Sequence, residues 1–271
     1  MAHELDRWRV EPGTRPDLDG IDTRSTDGAP GDKTTTKLVT KGLVAELSEG
    51  QNRLWAEGRQ SLLVVLQALD AGGKDGTIRQ VFTGVNPQGV RVVSFKVPST
   101  LERSHDFLWR VHQQVPATGE IGIFNRSHYE DVLVARVDQL VPEKVWRRRY
   151  RAIRNFEETL AEEGTAIVKV YLHISPEEQR ERLQARLTDP QKRWKFSRSD
   201  LEVRSKWDAY REAYLDAIEE TSTDHAPWFV VPADRKWYRD WSVMQILLAT
   251  IERLDPKLPE EEPGLDDIVV T

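Results

Sequence analysis

The run Ser61-Leu-Leu-Val-Val-Leu-Gln-Ala-Leu69, which breaks without transition into Asp70-Ala-Gly-Gly-Lys-Asp-Gly-Thr77, constrains this chain more than any other stretch. Such a continuous apolar, β-branched stretch is the pattern of a strand buried on both faces, and such strands belong to parallel sheets covered by helices. The glycines after it mark a tight turn, and between a buried strand and a helix such a turn is the place for a phosphate-binding loop. Glycine lets backbone N–H groups converge on phosphate oxygens, the helix N-terminus adds partial positive charge, and Lys74 can reach a transferring phosphoryl group. Gly72, Gly73, Lys74, Asp75, Gly76 and Thr77 are therefore the expected phosphate-binding residues. The match to GxxxxGK[ST] is incomplete. Ala68 replaces the first glycine, and Asp75 stands where a hydroxyl normally holds a metal ion. Asp70 becomes the expected metal-holding carboxylate, with Thr77 a weaker candidate. The competing reading is a plain glycine turn capped by Asp70.

Periodicity places further elements around this strand. Apolar positions recur at helical spacing from 37 to 57 and stop at Gly58. After the loop the pattern predicts a helix over 77–85, a strand over 90–97, a helix over 101–115 and a strand over 119–125. Helical stretches over 128–140 and 143–163 precede a strand at 165–174. Helices over 176–187 and 200–222 precede a strand at 228–232, and a last helix over 235–254 is rich in Trp and Leu. Repeated β-then-α order predicts an α/β fold: a five-stranded parallel sheet with helices on both faces. Residues 1–36 are expected to form an extended or mobile arm, 37–254 the main domain, and 255–271 an acidic, solvated tail.

Composition narrows the chemistry. The chain has 271 residues and a formal charge of −6, so no global positive field points to nucleic acid or a membrane surface, and neither is expected as a partner. It has no cysteine, which removes thiolate chemistry, and its six histidines lack metal-ligand spacing. The first residues are charged where a signal peptide needs an apolar stretch, so a cytoplasmic location is expected.

Against that acidic background two constellations stand out. Asn125-Arg126-Ser127-His128-Tyr129-Glu130 follows an apolar strand, at the edge where open parallel sheets bind ligands. Asn125 offers a neutral oxygen to a metal or nucleotide, Arg126 neutralises phosphoryl charge, and Glu130 is close enough to contact metal or nucleotide. The bland alternative is an Asn N-cap beside a surface ion pair. The second is Arg182 to Arg198, with six basic residues and one acid, Asp189, interleaved with Trp194 and Phe196. This reads as a basic lid over phosphates, about residues 176–206, with Arg182, Lys192, Arg193 and Lys195 as phosphate-binding groups. A further cluster, Lys144, Arg147 to Arg149, Arg151 and Arg154, is either a groove wall or an exposed amphipathic face.

Together LVVLQALDAGGKDGTI, GEIGIFNRSHYEDVLV and ARLTDPQKRWKFSRSDLE resemble the three signature regions of the polyphosphate kinase 2 family, in the right order, over about residues 30–255. The resemblance implies a P-loop kinase fold with a helical lid, dependence on Mg²⁺ with Mn²⁺ as a substitute, and assembly into homodimers or homotetramers. Position by position it assigns catalytic roles to Asp70, Lys74, Arg126 and the lid arginine Arg186, and metal contact to Asp70 and Asn125. His128-Tyr129-Glu130 resembles the subgroup that phosphorylates both AMP and ADP. The expected partners are inorganic polyphosphate and AMP, ADP or ATP. An ATP-dependent nucleoside monophosphate kinase and a non-catalytic polyanion-binding P-loop protein are the alternatives.

Overall fold

The computed structural model describes residues 5–265, 268 and 270. Six strands, β1 (Arg9–Val10), β2 (Ser61–Gln67), β3 (Val90–Ser94), β4 (Ile121–Asn125), β5 (Thr165–His173) and β6 (Trp228–Pro232), form one sheet in the order β1-β6-β5-β2-β4-β3. The last five pair in parallel, as the β-then-α order requires. The sixth is a correction to the expected five. Arg9 and Val10 pair antiparallel with Phe229 and Trp228, extending the edge. Two residues are too short for a periodic signal; tertiary pairing creates this strand, with Trp8 and Val10 buried on either side of Arg9.

The strand β2 lies in the middle and is buried along its whole length, so the chain carries apolar residues on both faces of it. Leu63 and Val65 join one core with Trp146, Tyr150, Ile153 and Phe156 of α3 (Glu143–Glu162) and Tyr210 and Tyr214 of α6 (Trp207–Thr221). Leu62, Val64 and Leu66 join the other, with α1 (Lys33–Glu57), α2 (Lys74–Val81) and α7 (Lys236–Leu254). The result is a three-layer α/β/α sandwich. The helices α4 (Pro176–Thr188) and α5 (Ser199–Ser205) frame the lid.

Several predicted boundaries move for local reasons. The leading helix begins at Lys33 rather than 37, because the Asp32 carboxylate accepts the Thr35 backbone N–H at 2.8 Å. The helix expected over 101–115 is two single turns, Thr100–Arg103 and Trp109–His112. The first is closed by a Ser99/Glu102 capping box, and the chain then breaks where Asp106 accepts from Leu108 N. The stretch 128–140 is a 3₁₀ turn at His128–Asp131 followed by one helical turn at Val134–Val137, and the stretch 200–222 divides at Lys206. The N-terminal arm is extended and pinned: Leu18 is buried, Tyr238 Oη donates to Asp27 O at 2.7 Å, and Asp234 N donates to Thr23 O. Part of the acidic tail, residues 266, 267, 269 and 271, lies outside the described residues. No helix among the described residues is long and apolar enough to cross a membrane.

Candidate active site

The carboxyl ends of β2 and β4 open into a cleft of about 890 Å³, where open α/β sheets bind ligands. Its floor is the turn 68–73. Gly72 N donates to Leu69 O, and the backbone reverses through left-handed conformations at Ala71 (φ 61°) and Gly73 (φ 107°). The φ of 107° favours glycine at position 73, and a Cβ there would also lie 2.1 Å from Arg239 Nη1, so the guanidinium would have to move. Lys74 opens α2 and folds back so that its Nζ donates to Ala68 O at 2.8 Å. Burial pushes the Lys74 ammonium down and Arg126 adds to this, while Asp70, Glu130 and Asp75 oppose it.

The opposite wall comes from the end of β4. Arg126 has a left-handed backbone (φ 61°), held by its N–H on Leu66 O, and this turns its side chain across the cleft. Its Nη2 donates to Asp70 Oδ1 at 2.9 Å. Asn125 Nδ2 donates to Asp75 Oδ1 at 2.7 Å, and Asn125 lines the cleft. Glu130 sits behind them. Burial drives its carboxyl up, and Arg126 and Lys74 pull it back down.

The lid supplies the third wall. Arg186, Lys192 and Lys195 line the cleft, with Arg186 Nη1 held 3.2 Å from Asp200 Oδ2. Arg182 also lines it, yet all its donors are engaged. Nε donates to Glu178, Nη1 to Ala71 O and Gly72 O, and Nη2 to Ala233 O and Asp234 O. It ties lid helix, phosphate loop and the β6–α7 turn together. Arg193 is off the wall, with its Nε on Leu187 O at 2.8 Å, and Thr77 is buried with its hydroxyl on Gly73 O. The rest of the sequence-predicted set converges: Asp70, Gly72, Gly73, Lys74, Asp75, Gly76, Asn125 and Arg126 share one cleft with Arg186.

The expected metal fits this donor set in a specific way. Among the described residues no three His, Asp or Glu side chains form a metal-sized group. Among the hard oxygens lining the cleft, which also include the Asp75, Glu178, Glu181 and Asp200 carboxylates, the Asp70 carboxylate and the Asn125 amide stand at the ends of β2 and β4. Magnesium characteristically binds through one or two protein oxygens plus substrate phosphates and waters, so a sparse set suits it and a dedicated cage is not required.

With this geometry in place, comparison with known proteins is decisive. The family model described as Polyphosphate kinase 2 (PPK2) matches residues 31–259. The chain belongs to the polyphosphate kinase 2 family. An AMP/ADP-polyphosphate phosphotransferase of Meiothermus ruber is 55% identical over 98% of this chain and 100% of its own length. An ADP-polyphosphate phosphotransferase of Rhodopseudomonas palustris is 44% identical over 97% of this chain and 95% of its own. The crystal structure of polyphosphate kinase 2 from Arthrobacter aurescens TC1 superposes with a TM-score of 0.93 at 46% identity, covering 98% of this chain and 94% of that one.

Four basic cleft residues of this PPK2 chain escape sequence reasoning: Arg79, Lys96, Lys236 and Arg239. Arg239 is buried on α7, with Nε and Nη2 on Asp240 Oδ1 and its guanidinium against Gly73 and Gly76; Lys236 stands one turn earlier. Their segment, KWYRDW, reads as core because its aromatics Tyr238 and Trp241 are core. The one signal is a lone arginine inside an apolar helix, which requires a partner.

Proposed function

We propose that this cleft transfers the terminal phosphoryl group of inorganic polyphosphate to ADP, giving ATP, and to AMP, giving ADP, reversibly. The observation that carries the reading is the charge of the cleft. Ten lysine and arginine side chains line it against five aspartates and glutamates, in a protein whose formal charge is −6. Such a local reversal suits a donor that is itself a chain of anions. The Meiothermus and Rhodopseudomonas relatives, an AMP/ADP- and an ADP-polyphosphate phosphotransferase, support the same reading.

In the mechanism, a terminal phosphate oxygen of the nucleotide attacks the end phosphorus of polyphosphate. The new P–O bond forms as the bond to the penultimate phosphate breaks, and polyphosphate leaves one residue shorter. The nucleophile is already an anion, so no general base is required. Lys74, Arg126 and Arg186 stabilise charge on the transferring group, and the loop 72–76 holds the phosphates. Asp70, kept in place by Arg126, orients the acceptor side, and Asn125 and Glu130 contact the nucleotide. Asp70 and Asn125 would hold the divalent metal, magnesium with manganese as a substitute, which neutralises phosphate charge when bound. Lys192 and Lys195 close with the lid over residues 176–206. Assembly as a homodimer or homotetramer in the cytoplasm belongs to the same reading and is checked by light scattering and fractionation.

The test is ATP formation from ADP, long-chain polyphosphate and Mg²⁺. Robust product is expected, falling by about 10³-fold in Lys74→Ala, a loss on the scale of removing a transition-state charge contact. AMP in place of ADP should give ADP. Transfer from ATP to a monophosphate, with none from polyphosphate, overturns the reading in favour of a nucleoside monophosphate kinase.

A further inference from the structure

A second, smaller cleft of about 380 Å³ opens beside the first and shares Glu178 and Lys236 with it. Its walls are the first two turns of α1, with Lys33 and Lys37, and the start of α7, with Arg235, Lys236 and Trp237. Both its acids are already engaged. Glu178 accepts from Arg182 Nε at 2.7 Å, and Asp234 accepts from Thr23 Oγ1 at 2.7 Å and from Ser175 N and Oγ, each at 2.9 Å. None of the four cations makes an ion pair or side-chain hydrogen bond among the described residues.

Fold stability does not account for these cations. Lys33 and Lys37 occupy the beginning of a 25-residue helix whose first turn carries no acid, the end at which the helix dipole disfavours positive charge. Lys236 repeats the pattern at the start of α7, where burial and then Arg182 press its ammonium down, with Arg239 and Lys192 adding to this against Glu178. Four cations without an ion pair of their own among the described residues, against acids that are engaged elsewhere, in a groove that shares Glu178 and Lys236 with a phosphate-binding cleft, concentrate anions there.

We propose that this second cleft is a subsite for the distal phosphates of the donor chain: polyphosphate whose reacting end lies on the loop 72–76 passes Lys236 and continues over Lys33, Lys37 and Arg235. This rests on the proposed function and deepens it by giving the donor a direction. A linear polyphosphate carries charge along its whole length and matches cations on both sides of Lys236. A nucleoside triphosphate ends in an uncharged base and would use Trp237 instead.

The experiment compares the full-length protein with Lys33→Gln/Lys37→Gln/Arg235→Gln and with a control, Lys144→Gln/Arg148→Gln/Arg151→Gln, which removes the same number of charges from α3. Lys33 and Lys37 are exposed and glutamine keeps both stem length and helix propensity, so folding is preserved, as circular dichroism checks. With ADP as acceptor, the KM for long-chain polyphosphate should rise about tenfold in the first variant with kcat unchanged, the pattern of lost uniform binding. Binding of long-chain polyphosphate, followed against salt, should lose about two units of slope, near the value for three released counter-ions on a single-stranded polyanion. The control should move neither. Equal changes in both variants show a general loss of positive field and overturn the subsite. A raised KM for ATP in the reverse reaction, with polyphosphate binding unchanged, assigns the cleft to a nucleotide and also overturns it. If the unaltered protein makes no product from polyphosphate, the proposed function itself fails; if it does and only the variant comparison fails, the subsite alone is wrong.

Discussion

Two groups of charges meet the segment that follows β4 and are treated in opposite ways. On the inner side, Glu157 and Lys169 are completely buried and joined at 2.5 Å. The remaining Glu157 oxygen meets His128 Nε2 and Tyr129 Oη, and Lys169 Nζ also donates to Thr221 O at 2.6 Å. On the outer side, Asp70, Lys74 and Arg126 face a cleft with unused capacity: Arg126 holds Asp70 by one hydrogen bond and Lys74 donates only to Ala68 O. The two inner charges are paired within the protein, which is what a buried charge demands, although His128 Nδ1 beside them is buried without a hydrogen-bond partner among the described residues. The outer group can accept a ligand because its capacity is left open. Residues 126–129 belong to both: Arg126 projects outward, and Ser127, His128 and Tyr129 are buried. The inner network therefore acts as the anchor that keeps Arg126 in its left-handed conformation.

The sharpest way to break the comparison is to remove one member of the sealed pair. Glu157→Ala should destabilise the protein by about 3–5 kcal/mol, because Lys169 is left buried without its counter-charge. Glu157→Leu combined with Lys169→Met should recover much of that loss, as read by urea unfolding. The pH dependence follows from the same pair. Burial alone would raise the Glu157 carboxyl, but Lys169, helped by His128, outweighs it and holds the group below its ordinary value of 4.5. A carboxylate depressed in the folded state adds stability that is complete above its unfolded value and is lost as pH falls through the folded one. Glu157→Gln should therefore flatten the acid side of the stability profile below about pH 4.5, measured by unfolding across pH. An unchanged acid limb would falsify the assignment of that ion pair to the folded core.

The open group was far more legible in the sequence than the sealed one. A phosphate loop announces itself because glycine, lysine and a buried strand must be adjacent in the chain, so Asp70 to Gly76 could be read directly. The parallel order of β2 to β6 was legible for the same reason, since each strand is a local apolar run. Glu157 and Lys169 lie on a helix and a strand whose partnership only the tertiary fold creates. Arg239 and Lys236 were hidden because a helix rich in Trp and Tyr reads as core whichever way one arginine points. The antiparallel β1 and the broken helix at 101–115 were missed because two-residue pairing and side-chain caps such as Asp106 act below the length of any period.

A smaller effect tests the brace between the groups' elements. Arg182→Lys keeps the charge but cannot reproduce a fork that reaches Ala71 O, Gly72 O, Ala233 O and Asp234 O. The expected result is about a tenfold fall in kcat/KM with a stability loss of about 1–2 kcal/mol, since buried carbonyls lose partners. If Arg182 instead acts chiefly as a phosphate ligand, the loss appears in activity with stability unchanged.

The smallest expected effect concerns the backbone of the loop itself. Ala71 holds a left-handed conformation (φ 61°) that disfavours any residue with a Cβ, by about 1–2 kcal/mol relative to glycine. Ala71→Gly removes that strain but loosens the unfolded chain by about 0.5–1 kcal/mol, so the net gain in stability should be about 0.5 kcal/mol, read as a shift in urea midpoint at constant slope. The activity of the same variant sharpens the comparison. Arg182 Nη1 grips Ala71 O, so the turn is held from outside and its geometry should persist; kcat is expected to stay within about twofold. A larger fall in kcat, with stability raised, would mean that the methyl group of Ala71 is part of the preorganisation of the loop. In that case the open group, like the sealed one, depends on packing as well as on its charges.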